Sequence, residues 1–138
     1  MKIETDPLRS RIMRNVKGRD TLPERKARTA LHRAGFRYRL HVSGLPGKPD
    51  IVLPKHRTVI FVHGCFWHRH IGCSRTTDPK RNADFWQDKF AANIERDRRN
   101  AQSLKRLGWR VCILWECIVA DEKKLAAFVR RLERTLKT

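Results

Sequence analysis

Apolar residues recur at two spacings along this chain, and the spacing predicts where strands and helices lie. Residues 36–42 alternate apolar and polar side chains, which is typical of a strand with one face in water. Residues 59–62 are continuously apolar, so residues 57–63 are predicted as a strand in the middle of a sheet. Residues 48–53 form a shorter strand between these two, with a turn at 54–56, and residues 109–115 form the last strand.

Three segments have helical periodicity. Thr21-Leu22-Pro23-Glu24 fits a capping box, which predicts that a helix begins there and continues to Gly35. Residues 83–107 form a second helix in one or two pieces, and residues 121–136 form an amphipathic third helix. The second helix has a predicted buried side of Phe85, Trp86, Phe90, Ile94, Ala101, Leu104 and Leu107. This order of elements predicts one three-layer α/β domain with a mixed sheet over residues 21–138.

Residues 1–20 are polar and basic, and they precede the first predicted helix. Ile12, Met13 and Val16 fall at helical spacing within this segment. The pattern indicates either a short arm that becomes ordered on a partner or a frayed terminus.

Charge limits the partners of the chain. Of its 138 residues, 32 are Lys or Arg and 14 are Asp or Glu, which gives a formal net charge of +18. Such a field attracts polyanions, with nucleic acid first and an anionic membrane surface second. No apolar run approaches the roughly 20 residues that span a bilayer, and no signal peptide is recognisable, so we expect a cytoplasmic protein. Because histone-like proteins are equally basic, charge alone leaves both an enzyme and a structural binder open.

The segment of residues 61–73 concentrates metal ligands. Cys65, His70 and Cys73 are three zinc-type ligands within nine residues. Cys117 is a plausible fourth, because it follows the last strand as Cys65 follows the central one. If those strands are parallel, both cysteines lie at one sheet edge, and a closed Zn²⁺ site would stabilise the loop. The alternative is that the cysteines are reduced bystanders. Cys112 lies within a strand and is most simply a core residue.

Two further histidines, His63 and His68, remain beside Asp50. A carboxylate can hold Mg²⁺, and a histidine can take a proton from an attacking water, which together suit phosphodiester hydrolysis. Asp97, on the polar face of the second helix, could orient one histidine. On spacing alone, the favoured interpretation is that Asp97 pairs with neighbouring arginines.

Aromatic residues lie close to the basic segments. Phe66 and Trp67 belong to a polar loop where core roles for both are hard to arrange, so we expect them to stack on bases or wedge between base steps. Trp86 suits either that role or the core. Arg96, Arg98 and Arg99 are expected to contact phosphates.

These residues together resemble the very short patch repair (Vsr) endonucleases. The resemblance rests on the strings KPD (48–50), FVHGCFWH (61–68), FW (85–86), NIERDRR (93–99), LGWRV (107–111) and WEC (115–117), and it spans roughly residues 9–117. It implies a divergent restriction-endonuclease-like fold of the PD-(D/E)xK superfamily. It also implies an enzyme that nicks duplex DNA 5′ of the T in a T:G mismatch, which arises when 5-methylcytosine deaminates.

The resemblance also assigns roles to residues. Asp50 and the backbone carbonyl of Val62 would hold catalytic Mg²⁺, and Glu24 would support the site. His68 would be the general base assisted by Asp97, and His63 would act on the phosphate. Structural Zn²⁺ would be held by Cys65, His70, Cys73 and Cys117. DNA would be contacted by Phe66, Trp67, Trp86, Met13, Lys89, Asn93, Arg96 and Arg99, which makes residues 1–20 a DNA-clamping arm.

The sequence departs from the superfamily pattern at one place and from the Vsr family pattern at two. Phe61 and His63 stand where an acidic residue and a lysine follow the PD motif, which suits a histidine-assisted site. Ile71-Gly72 looks like one extra residue in the zinc loop, and residues 74–80 diverge, which leaves the sequence context of the target open.

Two other functions remain as alternatives. One is a related strand-nicking or restriction-type endonuclease with another target, and the other is a zinc-stabilised DNA-binding module without catalysis. Asp50 argues against the latter, because a carboxylate facing phosphates would only repel them. We expect a monomer, since an asymmetric lesion requires no two-fold symmetry, and a mismatch-repair matchmaker protein is a conceivable partner.

Overall fold

The computed structural model describes residues 21–137. The strands are β1 (Arg39–Leu40), β2 (Ile51–Leu53), β3 (Thr58–His63) and β4 (Arg110–Trp115). The helices are α1 (Leu22–Arg33), α2 (Ala83–Arg106), α3 (Glu116–Val119) and α4 (Glu122–Leu136), and a 3₁₀ turn spans Pro54–His56. The predicted arm of residues 1–20, with Met13, lies outside the described residues.

The four strands form one mixed sheet in the order β1-β2-β3-β4. The first three strands are antiparallel, whereas β3 and β4 are parallel, with His63 opposite Trp115. The prediction that Cys65 and Cys117 lie at one edge of the sheet required these two strands to be parallel, and the structure confirms that they are.

Helices cover both faces of the sheet. On one face, α1, α3 and α4 bury a core that includes Leu31, Ile60 and Leu132. On the other face, Leu104 of α2 packs with Val59 and neighbouring strand residues. Continuous burial of β2 and most of β3 follows from this double cover and explains their unbroken apolar sequence. The three-layer α/β prediction is confirmed.

The capping box of α1 forms as the sequence predicts. The Glu24 N–H donates to Thr21 Oγ1 at 3.4 Å, and the Thr21 N–H donates to Glu24 Oε2 at 3.3 Å. Glu24 is only 3% exposed, so the box also holds a carboxylate in the interior.

Several predicted boundaries were wrong. Residues 36–42 contribute only the two-residue β1, because β2 is itself only three residues long and pairs with β1 only through Ile51 and Val52. The predicted turn at 54–56 is confirmed as a 3₁₀ turn, whereas α3 was not predicted.

The buried side of α2 also differs from the prediction. Ile94 and Leu107 are about half exposed, whereas Trp86, Phe90, Asn93 and Leu104 are buried. The inward face therefore changes from aromatic to polar in mid-helix. The polar part includes Asn93 and leads to Asp97, where the helix passes the sheet edge that carries the site.

None of the helices among residues 21–137 is long and apolar enough to cross a membrane.

Candidate active site and zinc centre

The parallel pairing of β3 and β4 creates the site. Because His63 and Trp115 are in register at the ends of these strands, the segments that follow them leave the sheet at the same edge. One segment is the loop that begins at Gly64, and the other is the short helix α3. The Cys65 N–H donates to Glu116 Oε1 at 3.0 Å, which ties the two segments together.

Four zinc-type ligands meet between these segments. The ligand atoms of Cys65, His70, Cys73 and Cys117 all lie within 4.8 Å of one another. His70 Nδ1 is 3.7 Å from Cys65 Sγ and 3.4 Å from Cys117 Sγ. Tetrahedral Zn²⁺ with bonds of about 2.0–2.3 Å needs ligand atoms roughly 3.3–3.8 Å apart, so both separations fit this ion.

Thiol chemistry in the cluster also fits a metal. Burial raises the pKa of Cys65 to about 12, so without a cation its thiol stays protonated. The backbone N–H of Arg75 lowers the pKa of Cys73. A bound cation would convert the buried thiol into the thiolate that zinc requires.

The zinc loop is fixed by hydrogen bonds and ring stacking. Thr76 Oγ1 donates to the backbone oxygen of His70 at 2.7 Å. The His70 ring stacks on Trp115, with centroids 4.2 Å apart. These contacts orient the imidazole with Nδ1 toward the cysteines.

Asp50 lies immediately before β2, and its carboxylate reaches across to β3. The Val62 N–H donates to Asp50 Oδ2 at 2.7 Å. A residue in an extended strand directs its N–H and its C=O to the same side, so the Val62 carbonyl also faces the side of Asp50. Burial, helped by the nearby Glu24 carboxylate, raises the pKa of Asp50 to about 7, although the hydrogen bond from the Val62 N–H opposes this shift. Two carboxylates and a carbonyl thus converge, which is a donor set suited to a hard divalent cation.

His68 and Asp97 form the shortest side-chain contact of the site. Their atoms Nδ1 and Oδ2 are 2.6 Å apart, and each side chain is about one-quarter exposed. Burial raises the pKa of Asp97, but the hydrogen bond to His68, together with the charges of both histidines, outweighs it, so that the pKa is lowered overall. The carboxylate is therefore ionised and accepts from a protonated Nδ1, which leaves Nε2 of His68 for the substrate side.

His63 lies beside this pair at the end of β3. Its ring stacks on His68 with centroids 3.7 Å apart and an interplanar angle of 7°. Burial, and secondarily the neighbouring His68, lowers the pKa of His63 to about 3, although Asp97 opposes the shift. His63 is therefore neutral at physiological pH.

His41 is a member of the site that the sequence did not reveal. It follows β1 with φ of 50°, and its Nε2 lies 3.4 Å from Glu24 Oε1. Glu24, His41 and Asp50 offer ligand atoms within 4.8 Å of one another. In the sequence, His41 only continues the alternating pattern of residues 36–42, and its immediate neighbours do not indicate a metal-binding or catalytic role.

A cleft of about 720 Å³ opens over the predicted catalytic residues. Its lining includes Asp50, His63, His68, Asp97 and Val62. Glu24 and His41 do not line this cleft, although their ligand atoms lie within 4.8 Å of that of Asp50. The structure therefore brings the predicted catalytic residues together, with Glu24 at the base of the group.

The predicted DNA-contacting aromatics form a cluster between the zinc loop and α2. Phe66 and Trp67 meet edge to face at 5.1 Å, and Trp67 and Trp86 are 5.5 Å apart. Both loop aromatics are half-buried, so they do find apolar neighbours, contrary to expectation. Trp86 is 3% exposed and packs against Phe90, so it occupies a core position in this structure. Its role as a DNA wedge stays a prediction.

The remaining predicted DNA contacts lie along α2. Arg96 and Arg99 are exposed, Lys89 is half-buried, and Asn93 is buried. Asn93 Oδ1 accepts from Arg96 at 2.9 Å, and Asn93 Nδ2 approaches the Trp67 backbone oxygen at 3.5 Å. Asn93 thus links the helix to the aromatic loop.

Comparison with solved structures supports the architecture. The catalytic domain of the homing endonuclease I-Bth0305I superposes with a TM-score of 0.59 at 19% identity, covering 86% of this chain and all of that chain. At this identity the match shows the fold alone, and that fold is consistent with the restriction-endonuclease-like prediction.

Sequence comparisons give the family. The family model described as DNA mismatch endonuclease Vsr matches residues 1–75. The DNA mismatch endonuclease Vsr of Escherichia coli is 43% identical over 127 residues, covering 91% of this chain and 81% of that protein. The type II nicking enzyme V.XorIIP of Xanthomonas oryzae is 46% identical over 121 residues, covering 88% of each. V.NmeAIP of Neisseria meningitidis, also a type II nicking enzyme, is 41% identical over 135 residues, covering 98% of this chain and 96% of that protein. The chain therefore belongs to the Vsr family of DNA mismatch endonucleases, and it is a DNA endonuclease.

Proposed function

We propose that this endonuclease nicks one strand of duplex DNA 5′ of the T in a T:G mismatch, by Mg²⁺-dependent hydrolysis of the phosphodiester bond. The observation that carries the chemistry is the 2.6 Å contact of His68 with Asp97 in the cleft that Asp50 also lines. The proposed general base His68, the Asp97 carboxylate that orients it, and the Asp50 carboxylate, which can hold a metal ion, all line the same cleft.

His68 is the general base. Asp97 holds the ring through Nδ1, so Nε2 can take the proton of the attacking water. The ionised Asp97 then stabilises the imidazolium that forms, as a positioning residue that does not itself touch the substrate.

His63 acts on the phosphate as a neutral imidazole. Its lowered pKa means that it carries no charge before the reaction, and its stacking on His68 fixes the plane of its ring. A neutral imidazole in this position can donate one hydrogen bond to a phosphate oxygen.

Asp50 and the Val62 carbonyl would hold the catalytic cation, and Glu24 would support Asp50 from the side away from the cleft. When bound, Mg²⁺ supplies charge stabilisation of the phosphate and the leaving oxygen. The buried pair of carboxylates is the supporting observation, since their mutual repulsion favours a cation between them.

Zn²⁺ has a separate, structural role in this proposal. Cys65, His70, Cys73 and Cys117 supply four ligands, so the site is closed and leaves no open position for substrate. By fixing the loop between Cys65 and Cys73, zinc holds Phe66, Trp67 and His68 at the cleft.

The DNA surface combines charge and aromatic side chains. Lys89, Arg96 and Arg99 lie on α2 beside the loop aromatics, and Asn93 braces the loop. Phe66 and Trp67 enter the duplex at the mismatch. Trp86 either stays packed behind them or, after the aromatic cluster rearranges, also inserts among the bases. Residues 1–20, with Met13, clamp the DNA from the groove opposite to the one that Phe66 and Trp67 enter. The enzyme acts as a monomer, and a matchmaker protein of mismatch repair is a possible helper.

A second candidate is strand nicking at a target other than T:G. Two relatives that nearly match the full length are named type II nicking enzymes, which favours a nick but leaves the mismatch open. A binding module without catalysis is disfavoured, because the chain belongs to an endonuclease family.

The test is a nicking assay on duplexes that differ only at one base pair. Each strand carries its own fluorophore, and T:G, C:G and T:A duplexes are compared with Mg²⁺, with Ca²⁺ and without divalent ions. We expect Mg²⁺-dependent cleavage of the T strand of the T:G duplex alone. Asp50→Ala abolishes it, whereas Asp88→Ala, at an exposed position of α2, retains it.

The other outcomes distinguish the candidates. Cleavage that ignores the mismatch favours the related nicking enzyme and directs attention to the flanking sequence. Cleavage that survives in Asp50→Ala overturns the assignment of the metal ligand. Tight DNA binding with no cleavage under any divalent ion contradicts the catalytic proposal.

A further inference from the structure

We propose that His41 is a direct ligand of the cation at Asp50. Together with Glu24 and Asp50 it makes a mixed nitrogen and oxygen site that binds Mn²⁺, or a similar borderline divalent ion, more tightly than Mg²⁺. This inference rests on the proposed function only in placing the cation at Asp50. It adds a ligand that the resemblance did not supply, and with it a metal preference.

The three side chains already meet in the structure. Their ligand atoms all lie within 4.8 Å of one another, and His41 Nε2 is 3.4 Å from Glu24 Oε1. The side chain of Glu24 is 4% exposed, and that of His41 is 17% exposed. A group with two carboxylates and an imidazole is thus gathered behind the cleft, largely out of water.

Each member is held in place from a different element. Glu24 is the third residue of α1, and its Oε2 accepts from the Thr21 N–H, which directs Oε1 toward His41. His41 has φ of 50°, in the left-handed region that non-glycine residues seldom adopt. Its N–H approaches the Asp50 backbone oxygen at 3.4 Å, at the end of the β1–β2 pairing. The His41 backbone is therefore bent at the point that brings its ring to the two carboxylates.

The arrangement favours a cation. Glu24 and Asp50 are close enough that Glu24 raises the pKa of Asp50, on top of the larger effect of burial. A divalent ion removes the repulsion between two buried carboxylates, which makes this group a better cation site than an exposed acidic cluster.

The nitrogen ligand determines which cation is preferred. Mg²⁺ takes oxygen ligands almost entirely and keeps several waters, whereas imidazole suits transition metals. Mn²⁺ accepts both carboxylates and imidazole. A site with His41 therefore discriminates against Mg²⁺ relative to a site built from Asp50, Glu24 and a carbonyl alone.

A different role for His41 predicts a different outcome. If His41 only forms an ion pair with Glu24, it acts as a positioning residue and never touches the metal. Its replacement would then weaken Mg²⁺ and Mn²⁺ binding equally, and no nitrogen would couple to the bound ion.

The decisive measurement is pulsed electron paramagnetic resonance on Mn²⁺ bound to the zinc-loaded, full-length protein. A directly bound imidazole gives a ¹⁴N modulation. We expect this modulation in the unaltered protein and in His32→Gln, since His32 is exposed on α1. We expect its loss in His41→Gln. Persistence of the modulation in His41→Gln, or its absence from the unaltered protein with Mn²⁺ bound, overturns the proposal.

Titration calorimetry supplies a second measurement. We expect His41→Gln to weaken Mn²⁺ binding by more than about 10-fold, the least that loss of a residue supporting a metal ligand costs, and Mg²⁺ binding by less than about 3-fold. Equal losses for the two ions contradict direct ligation. A thermal melt of each variant checks folding.

Failure of this inference is distinguishable from failure of the proposed function. If Mg²⁺ supports T:G nicking and Asp50→Ala abolishes it, the proposed function stands whatever the ¹⁴N measurement shows. If neither ion binds the unaltered protein and no strand is cut, the proposed metal site itself is wrong.

Discussion

The Nδ1 atom of His68 lies 2.6 Å from Oδ2 of Asp97, which joins the zinc loop to the middle of α2. Three separate structural features bring the two residues together. The loop is held by the Cys/His cluster, α2 turns a polar face inward at Asn93 and Asp97, and His63 stacks against the His68 ring. The His68 ring is thus oriented by elements that are distant in sequence.

Asp97→Asn tests this orientation. The amide cannot accept from Nδ1 with the same charge, and it can stabilise the opposite tautomer of His68. We expect kcat to fall by about 10²–10⁴-fold, the usual worth of a general base, with DNA affinity little changed. Single-turnover nicking and a DNA-binding titration separate the two effects, with Asp88→Asn as the control on the exposed face. A kcat within about 3-fold of the unaltered enzyme would leave Asp97 with no part in the reaction.

His63 should make stability depend on pH. Its pKa in the folded protein is about 3, below the ordinary 6.5, because burial disfavours the charged form. Between these values the unfolded chain binds a proton that the folded chain does not. The contribution of His63 is therefore present above pH 6.5 and is lost as pH falls toward 3.

Denaturant unfolding at pH 7.5 and pH 4.5 measures this contribution. We expect His63→Gln to lose about 1–3 kcal/mol less on acidification than the unaltered protein. His32→Gln should show the unaltered pH dependence. Identical acid sensitivity in His63→Gln would mean that His63 is protonated in the folded state.

Asp50 should show the opposite dependence. Its pKa rises to about 7 in the folded protein, from an ordinary value near 3.8, because burial disfavours the carboxylate. Its stabilising contribution is therefore complete below pH 3.8 and is lost as pH rises through 7. Without added divalent ions, we expect Asp50→Asn to unfold with a free energy higher by about 1–3 kcal/mol at pH 8, and the difference to shrink toward pH 4.

Added metal provides the control for this prediction. At pH 8, Mg²⁺ or Mn²⁺ should stabilise the unaltered protein by mass action and leave Asp50→Asn nearly unchanged. A variant less stable than the unaltered protein at pH 8 would show that the Asp50 charge is compensated within the fold.

The sequence was informative wherever chemistry was local. Three features depend only on residues that are close in sequence. They are the capping box of Thr21 and Glu24, the apolar strand β3, and the spacing of Cys65, His70 and Cys73. The parallel arrangement of β3 and β4 was a condition in the argument, and once it holds, Cys117 must come to the same edge.

The sequence was uninformative where a contact depends on tertiary geometry. Ile94 fits the apolar stripe of α2, yet Asn93 is buried in its place, because the helix passes a polar site rather than the core at that point. His41 gives no local sign, since its meeting with Glu24 depends on a left-handed backbone and on how α1 packs. Likewise the sequence could not distinguish Asp97 from an ordinary surface carboxylate, and only the structure shows that His68 lies beside it.

Cys117 and Cys112 provide a matched pair for the zinc prediction. Cys117 Sγ lies 3.4 Å from His70 Nδ1, whereas Cys112 lies within β4, where burial raises its pKa. We expect Cys117→Ser to lose most of its zinc, and Cys112→Ser to retain about one zinc per chain, by elemental analysis of the purified proteins. Since the loop between Cys65 and Cys73 has little core of its own, loss of zinc should also lower the unfolding midpoint by about 10 °C. It should reduce nicking more than binding to matched DNA, because His68 lies on that loop. Full zinc content in Cys117→Ser would show that the ion is held by the three local ligands alone.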